Sequence, residues 1–282
     1  MSLTHPGRSS GAVISLVLRF LIGLVVAVMS LVGYFAAREY NPATEEVQYI
    51  GMTVEQEIAL GLQAAPKMAA QHGGLDPDEK AQARVQEVGE SLVDRTAAGN
   101  TSYRFRFHVL DDPHTINAFA LPGGFIFITS GLLSRLQTKG QLAGVLAHEI
   151  GHVVARHAAE HIAKARLTEG LTGAAVIAMY DPNNPASQRT LQVAQLIGQL
   201  VNLKFSRGDE LESDRLGVRF LAKTGYDPRA MIKLMEVLDQ ASTGPWRPEF
   251  FNTHPNPKNR IDNIQAAIAK EFPAGVPEGL KQ

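Results

Sequence analysis

The first pattern along the chain is a long run without charge. From Phe20 to Ala37 all 18 residues are uncharged and most are apolar. As an α-helix such a run spans about 27 Å, close to the hydrocarbon thickness of a bilayer. Ala12 to Leu18 extends it, interrupted by Arg19, whose long stem lets its charge reach the headgroups. A cleavable signal peptide competes with a membrane anchor for such a segment. Its apolar region is usually shorter and ends in a small-x-small site, whereas Tyr34 and Phe35 stand where small residues would be needed. The expectation is an uncleaved transmembrane anchor over residues 12–37, an N-terminal tail at 1–11 and a polar linker at 38–52. Arg8 and Arg19 precede the span, and Arg38 follows it among Glu39, Glu45 and Glu46. Counting basic residues puts the N-terminus inside and the following domain on the extracytoplasmic side, periplasmic in a bacterium.

Helical and strand periodicities alternate after the linker. Residues 53–72 are amphipathic, with Leu60, Leu62 and Met68 set against Glu55 and Glu57. Gly73-Gly74 and Asp76-Pro77 break the pattern. A second helix follows at 78–97, striped by Val85, Val88, Leu92 and Val93. Tyr103 to Leu110 alternates like a half-buried strand, and Asn117–Leu121 and Phe125–Thr129 flank a Pro122-Gly123-Gly124 turn as two more. From 131 to 271 the pattern is mainly helical. Helices, then a small strand cluster, then helices predict a mainly helical α+β fold. The domain should run from 53 to 273, with a tail at 274–282. Residues 171–201 are unusually apolar, but Leu171–Tyr180 is too short to span a bilayer. That stretch is expected to pack on the core or form a flap over residues 165–200; a re-entrant membrane segment is the other reading.

Composition narrows the chemistry. A formal net charge of −1 supplies no basic surface for nucleic acid. The chain contains no cysteine, which removes disulfides, thiolate metal sites and cysteine nucleophiles together.

His148-Glu149-Ile150-Gly151-His152 is an H-E-x-x-H sequence in a predicted helix. Residues four apart on a helix lie on one face, one turn along, so the two imidazoles can converge on one tetrahedral metal. Glu149 can then take a proton from the attacking water and pass it to the leaving amine, while zinc supplies Lewis acidity. A charged, exposed helix face is the alternative. It fits poorly here, because the helix is apolar before the motif and Gly151 admits another backbone. His157-Ala-Ala-Glu160-His161 fits the inverted H-x-x-E-H motif. Nine residues separate His148 from His157, which sets them on about opposite sides of a continuous helix. His157 is therefore expected at a solvated helix end.

A third ligand is needed. Phe205 to Gly217 reads as a helix start capped by Ser206. Glu210 and Asp214 share a face, and Glu212 points elsewhere. A ligand at Glu210 with an imidazole-orienting carboxylate at Asp214 makes chemical sense. Taken alone, the segment reads better as salt-bridging carboxylates on a surface helix.

Together, His148-Glu149-Ile150-Gly151-His152 and Ser206-Arg207-x-x-Glu210-x-Glu212-x-Asp214 resemble the gluzincin metalloendopeptidases that include the CAAX prenyl proteases, HtpX, BepA and the Oma-type proteases. Asn117-Ala-Phe-Ala-Leu-Pro-Gly-Gly124 and His254-Pro255 with Arg260 add to the likeness, which covers residues 50–270. The resemblance implies a zincin-like fold and one Zn2+ per chain, held by His148, His152 and Glu210. It further implies Glu149 as base and acid, and His254 as a catalytic group that stabilises the oxyanion or caps the zinc in a closed form. Asn117, Pro122, Gly123, Gly124 and Arg260 would serve the substrate, with the strand after Gly124 as the edge that pairs with it. Ser213 stands where alanine is usual. The chain is expected to be a minimal, single-anchor member acting on unfolded or misassembled envelope proteins. A client-binding chaperone is the competing class, disfavoured by the intact Glu149. A processing enzyme for prenylated peptides is disfavoured by the missing multi-helix chamber.

Overall fold

The uncharged N-terminal stretch is one helix, α1 (Ser10–Ala36), in the computed structural model of the chain, which describes residues 10–179, 205–242, 249–255 and 259–282. Its segment Leu16–Ala36 has the length and apolarity of a membrane span. Leu18, Phe20, Val25, Met29 and Phe35 are each more than half exposed along it.

The described residues form two compact units. One comprises residues 10–39, 48–51 and 160–179. In it the later part of α6 (His157–Met179) packs on α1. A Cβ on Gly23 would lie 2.6 Å from the carbonyl oxygen of Ala174, and one on Gly170 would meet the Ser30 hydroxyl. Small residues permit that approach. Tyr34 stacks on Tyr49 with ring centroids 5.0 Å apart. Of the expected flap, residues 165–179 belong to α6 and 180–200 lie outside the described residues.

The second unit comprises residues 40–47, 52–159 and the described residues from 205 onward. The expected linker carries two paired strands instead, β1 (Arg38–Asn41) and β2 (Glu46–Tyr49). Polarity misled there: Asn41 is buried and donates its amide to the Val154 carbonyl over 2.9 Å. Helix α2 (Val54–Gln71) starts at a Thr53–Gln56 capping box, and Asp78 caps α3 (Glu79–Asp94). The α3 stripe of Val85, Val88 and Leu92 is fully buried, as its spacing predicts.

The three strands are β3 (Arg106–Leu110), β4 (Ala118–Leu121) and β5 (Phe125–Thr129), in the order β3-β5-β4. β5 runs parallel to β3 and antiparallel to β4. The strand after Gly124 is therefore the central one, paired on both sides and buried throughout; the outer strands are β3 and β4. Gly123 and Gly124 turn between them at φ 83° and 99°, a conformation that favours glycine. A Cβ on Gly123 would lie 2.6 Å from the Ile58 Cα, so this turn is seated against α2.

Helix α4 (Ser130–Leu133) leads into α5 (Lys139–Val154), which is buried from Gly140 to Val154. α5 does not continue into α6. Arg156 turns the chain at φ 56°, a left-handed conformation that costs a side-chain-bearing residue energy. Its guanidinium is held by Glu57 at 2.8 Å from Nε and by the Met52 carbonyl at 3.0 Å. Tyr103 donates its hydroxyl to the other Glu57 oxygen at 2.9 Å. Among the described residues a 3-10 turn at Ala97–Asn100 follows α3, and the later helices are α7 (Arg207–Thr224), α8 (Ala230–Ser242), α9 (Phe250–Thr253) and α10 (Arg260–Glu271). The expected C-terminal tail is docked rather than free. Lys281 bonds the Gly225 carbonyl at 2.9 Å, and Gln282 bonds Asp227 at 2.9 Å.

Glu57→Ala removes the carboxylate from a buried pair and should cost about 3–5 kcal/mol of stability. Chemical denaturation measures this, and a loss below about 1 kcal/mol, the size of an exposed pair, would show that Arg156 does not depend on it.

Candidate metal centre

Helix α5 places His148 and His152 one turn apart with their Nε2 atoms 3.1 Å from each other. Helix α7 brings Glu210 in from its first turn, which starts at a Ser206–Asp209 capping box. The Glu210 oxygens lie 3.4 Å from each histidine Nε2. His254, at the end of α9, completes a group of four whose donor atoms all lie within 4.8 Å of one another. Its Nδ1 is 3.0 Å from Glu210 and 3.3 Å from the His148 Nε2. A tetrahedral centre with bonds of about 2.0–2.1 Å has donor–donor edges of roughly 3.4 Å. The separations of 3.0–3.4 Å among these donors are close to that edge, so His148, His152 and Glu210 could hold one ion with His254 beside it.

Backbone contact between α5 and α7 makes this possible. A Cβ on Gly151 would lie 2.6 Å from the Ser213 hydroxyl oxygen. That hydroxyl donates to the His148 carbonyl, so the serine where alanine is usual forms a bond inside the site.

Behind His148 stands Asp214, with Oδ1 2.9 Å from its Nδ1. Arg260 grips Asp214 through Nε at 2.7 Å and Nη2 at 2.9 Å, and its Nη1 lies 3.1 Å from Glu210. Arg260 is 1% exposed. It is therefore enclosed in the core beside Glu210 and Asp214 and not exposed at a substrate cleft, as its expected role would require.

Electrostatics separates the carboxylates. Burial pushes Glu149 up, against the pull of His254 and His148. Burial pushes Glu210 the same way, but His254, His148 and His152 overcome it and hold Glu210 far below the usual carboxylate range. Burial would lower the proton affinity of His148, yet Asp214 and Glu210 raise it to about 9. Burial takes His152 well below the ordinary imidazole value. Asp214 is lowered by Arg260 against its own burial.

The residues fit a zinc ion. Both Glu149 oxygens, Glu210 Oε2 and His254 Nε2 are buried with no hydrogen-bond partner, a condition native interiors rarely tolerate unless an ion or water meets it. Three buried carboxylates, Glu149, Glu210 and Asp214, gather here, and the Arg260 guanidinium pairs with the last two. Two neutral imidazoles and a carboxylate are a zinc donor set.

His254 is fully buried among the donors, with Nε2 3.6 Å from Glu149, a position compatible with the zinc-capping alternative of its expected roles. Other placements differ from expectation. His157, expected in solvent, is fully buried with Nδ1 2.9 Å from the His152 Nδ1. The turn at Arg156 invalidates the projection along a continuous helix. Glu212 does point away from the donors, toward His157 at 2.9 Å. A narrow cleft runs from Ala120, Leu121 and Pro122 of β4 and its turn to His152, Val153 and Phe205. Pro122 lines it. Asn117 is buried at the root of β4, and Gly123 and Gly124 are covered by neighbouring backbone, so these three do not. Sequence reasoning missed Phe205, stacked on His152 at 4.2 Å, and Phe250, stacked on His254 at 4.4 Å. Neither carries a sequence signal beyond being aromatic beside a ligand segment.

A buried H-E-x-x-H helix meeting a glutamate helix defines a mononuclear metallohydrolase of the gluzincin class. The family model for peptidase family M48 matches residues 79–268. The chain is 33% identical over 201 residues to the mitochondrial metalloendopeptidase OMA1 of Danio rerio, covering 68% of this chain and 41% of that protein. It is 31% identical over 235 residues to its counterpart in Schizosaccharomyces pombe, covering 82% and 67%. It is 33% identical over 183 residues to the beta-barrel assembly-enhancing protease of Escherichia coli, covering 63% and 37%. The chain thus spans between about a third and two thirds of these relatives' lengths. The chain belongs to peptidase family M48, a family of zinc-dependent metallopeptidases.

Asp214→Asn should weaken zinc about 10–100-fold, since it disturbs the group that orients His148. Competition with a chromogenic chelator reads this directly, and unchanged affinity would remove Asp214 from the site.

Proposed function

We propose that the chain is a membrane-anchored zinc metalloendopeptidase that hydrolyses peptide bonds of unfolded or misassembled envelope proteins. The observation that carries the catalytic part is Glu149: fully buried, unpartnered at both oxygens, and adjacent to a four-donor cluster. His148, His152 and Glu210 would hold the ion. When bound, zinc supplies Lewis acidity and a nucleophile usable near neutral pH.

The chain's own residues supply the rest. Glu149 accepts the proton of the attacking water and returns it to the leaving nitrogen. Its raised proton affinity suits a group that must both take and give. An extended peptide can add to the outer edge of β4, where Ala120, Leu121 and Pro122 open into the cleft that ends at His152. Pairing of that kind reads backbone and so accepts varied sequences, which suits unfolded clients. His254 must move aside for a substrate carbonyl to approach. The nearness of His254 to the other donors supports reading it as a cap that holds the enzyme latent.

The span Leu16–Ala36, with its exposed apolar side chains, supports the anchor. The distribution of arginines favours an extracytoplasmic catalytic unit. One relative is named for assisting β-barrel assembly, which supports an envelope client class. Client binding with latent proteolysis is the second reading, favoured by the same His254 placement.

The test is cleavage of an unfolded protein by the full chain in detergent micelles, beside Glu149→Gln. The variant should keep one zinc and lose cleavage; equal cleavage by both would end the mechanism. His254→Ala should raise basal cleavage if His254 closes the site. A fall of about 10²–10³ would instead assign it the oxyanion role.

A further inference from the structure

His157 and Glu212 have no part in the mechanism above, yet His157 is fully buried and bonded at both ring nitrogens. Its Nε2 lies 2.9 Å from Glu212 Oε2, and its Nδ1 lies 2.9 Å from the Nδ1 of His152. The direction of each bond follows from the donors available. An ionised carboxylate only accepts, so His157 donates from Nε2 to Glu212. A neutral His157 then keeps its lone pair on Nδ1. The neighbouring Nδ1 of His152 must carry the hydrogen that fills this bond. His152 is left with its own lone pair on Nε2, the atom that faces Glu210 at 3.4 Å and His148 at 3.1 Å.

We propose that Glu212 and His157 form a positioning relay that fixes His152 in the tautomer and orientation that present Nε2 to the metal. The inference rests on His152 being a ligand. The two ligand histidines are thus held differently: His148 by a carboxylate directly, and His152 by an imidazole with a carboxylate behind it. A physical reason is visible. Three carboxylates are already buried at the site. A fourth placed against His152 would add buried charge, which is costly. The relay transmits the same hydrogen-bond direction through a neutral ring and leaves the Glu212 charge nearer the rim, where its side chain is 14% exposed. The left-handed turn at Arg156 serves this directly, because it brings His157 back onto His152. The inverted motif that begins at His157 therefore contributes one residue to the first motif's site.

The experiment uses the full chain in detergent, loaded with zinc for chelator competition and with cobalt for the visible ligand-field spectrum. His157→Phe and Glu212→Leu should each weaken zinc about 10–100-fold and alter the cobalt spectrum. Glu212→Gln, which keeps an acceptor for the His157 N–H, should stay within a few-fold of the parent. Thermal unfolding of the metal-free forms should be alike for parent, Glu212→Leu and Glu212→Gln. A buried histidine with a purely structural role would move that unfolding and spare the spectrum. Parental zinc affinity in both His157→Phe and Glu212→Leu would overturn the relay. If His157→Phe fails to fold, Glu212→Leu decides alone, since its side chain lies near the surface. His152→Phe separates the two levels. Loss of zinc there alongside an unchanged Glu212→Leu refutes only the relay, whereas retained zinc refutes the ligand assignment beneath it.

Discussion

Everything in the second unit is arranged around one electrostatic constraint: several carboxylates and imidazole lone pairs held together out of water. Glu149, Glu210 and Asp214 are at most 1% exposed, and Arg260 is the one guanidinium among them. An isolated buried carboxylate would take up a proton or pull the structure apart. The raised proton affinity of His148 expresses the same demand for positive charge. A divalent cation held by His148, His152 and Glu210 would meet that demand. Folding and metal binding are coupled at such a site, because the ion stabilises the packing that forms its own ligand set.

That packing is obtained by removing side chains and bending backbone at a few points. Gly151 lets α5 and α7 touch, so that Glu210 reaches both histidines. Arg156 adopts a left-handed conformation and is held by a buried ion pair with Glu57 and by the Met52 carbonyl. Glu57 belongs to α2, far away in sequence, and the same helix seats the Gly123-Gly124 turn behind the outer strand β4. One helix therefore supports both the end of the ligand helix and the strand beside the cleft. Strain at Arg156 and openness at β4 are parts of a single arrangement of metal and substrate edge.

Local patterns were legible because they rest on local physics. The apolar run of α1, the α3 stripe, the alternating strands and the H-E-x-x-H spacing are properties of neighbours along the chain. The Ser206 cap and the shared face of Glu210 and Asp214 are of the same kind. What failed depended on long-range pairing. The order β3-β5-β4 cannot be read from three strands in sequence, so the central strand passed for an edge. Arg260 carries the residue type of a substrate site, and only tertiary packing turns it inward. His157 was lost to the assumption that helical geometry continues through Arg156, a residue with no sequence mark of a break. Polar residues at 38–52 passed for a linker because strand pairing there is set by partners and not by hydropathy.

The two glutamates nearest the metal position show how one residue type acquires two roles. Glu149 and Glu210 are both buried and both lie within reach of His254. Glu210 sits among three imidazoles and the Arg260 guanidinium, and these hold it ionised, as a ligand must be. Glu149 has no hydrogen-bond partner at either oxygen, and burial raises its affinity for a proton. Paired carboxyls with affinities driven apart are the general arrangement for dividing charge stabilisation from proton transfer. The division follows from placement: Glu210 enters from α7 with the guanidinium 3.1 Å away, while Glu149 follows His148 on α5 with no hydrogen-bond partner at either oxygen. His254 bonds the first and approaches the second to 3.6 Å.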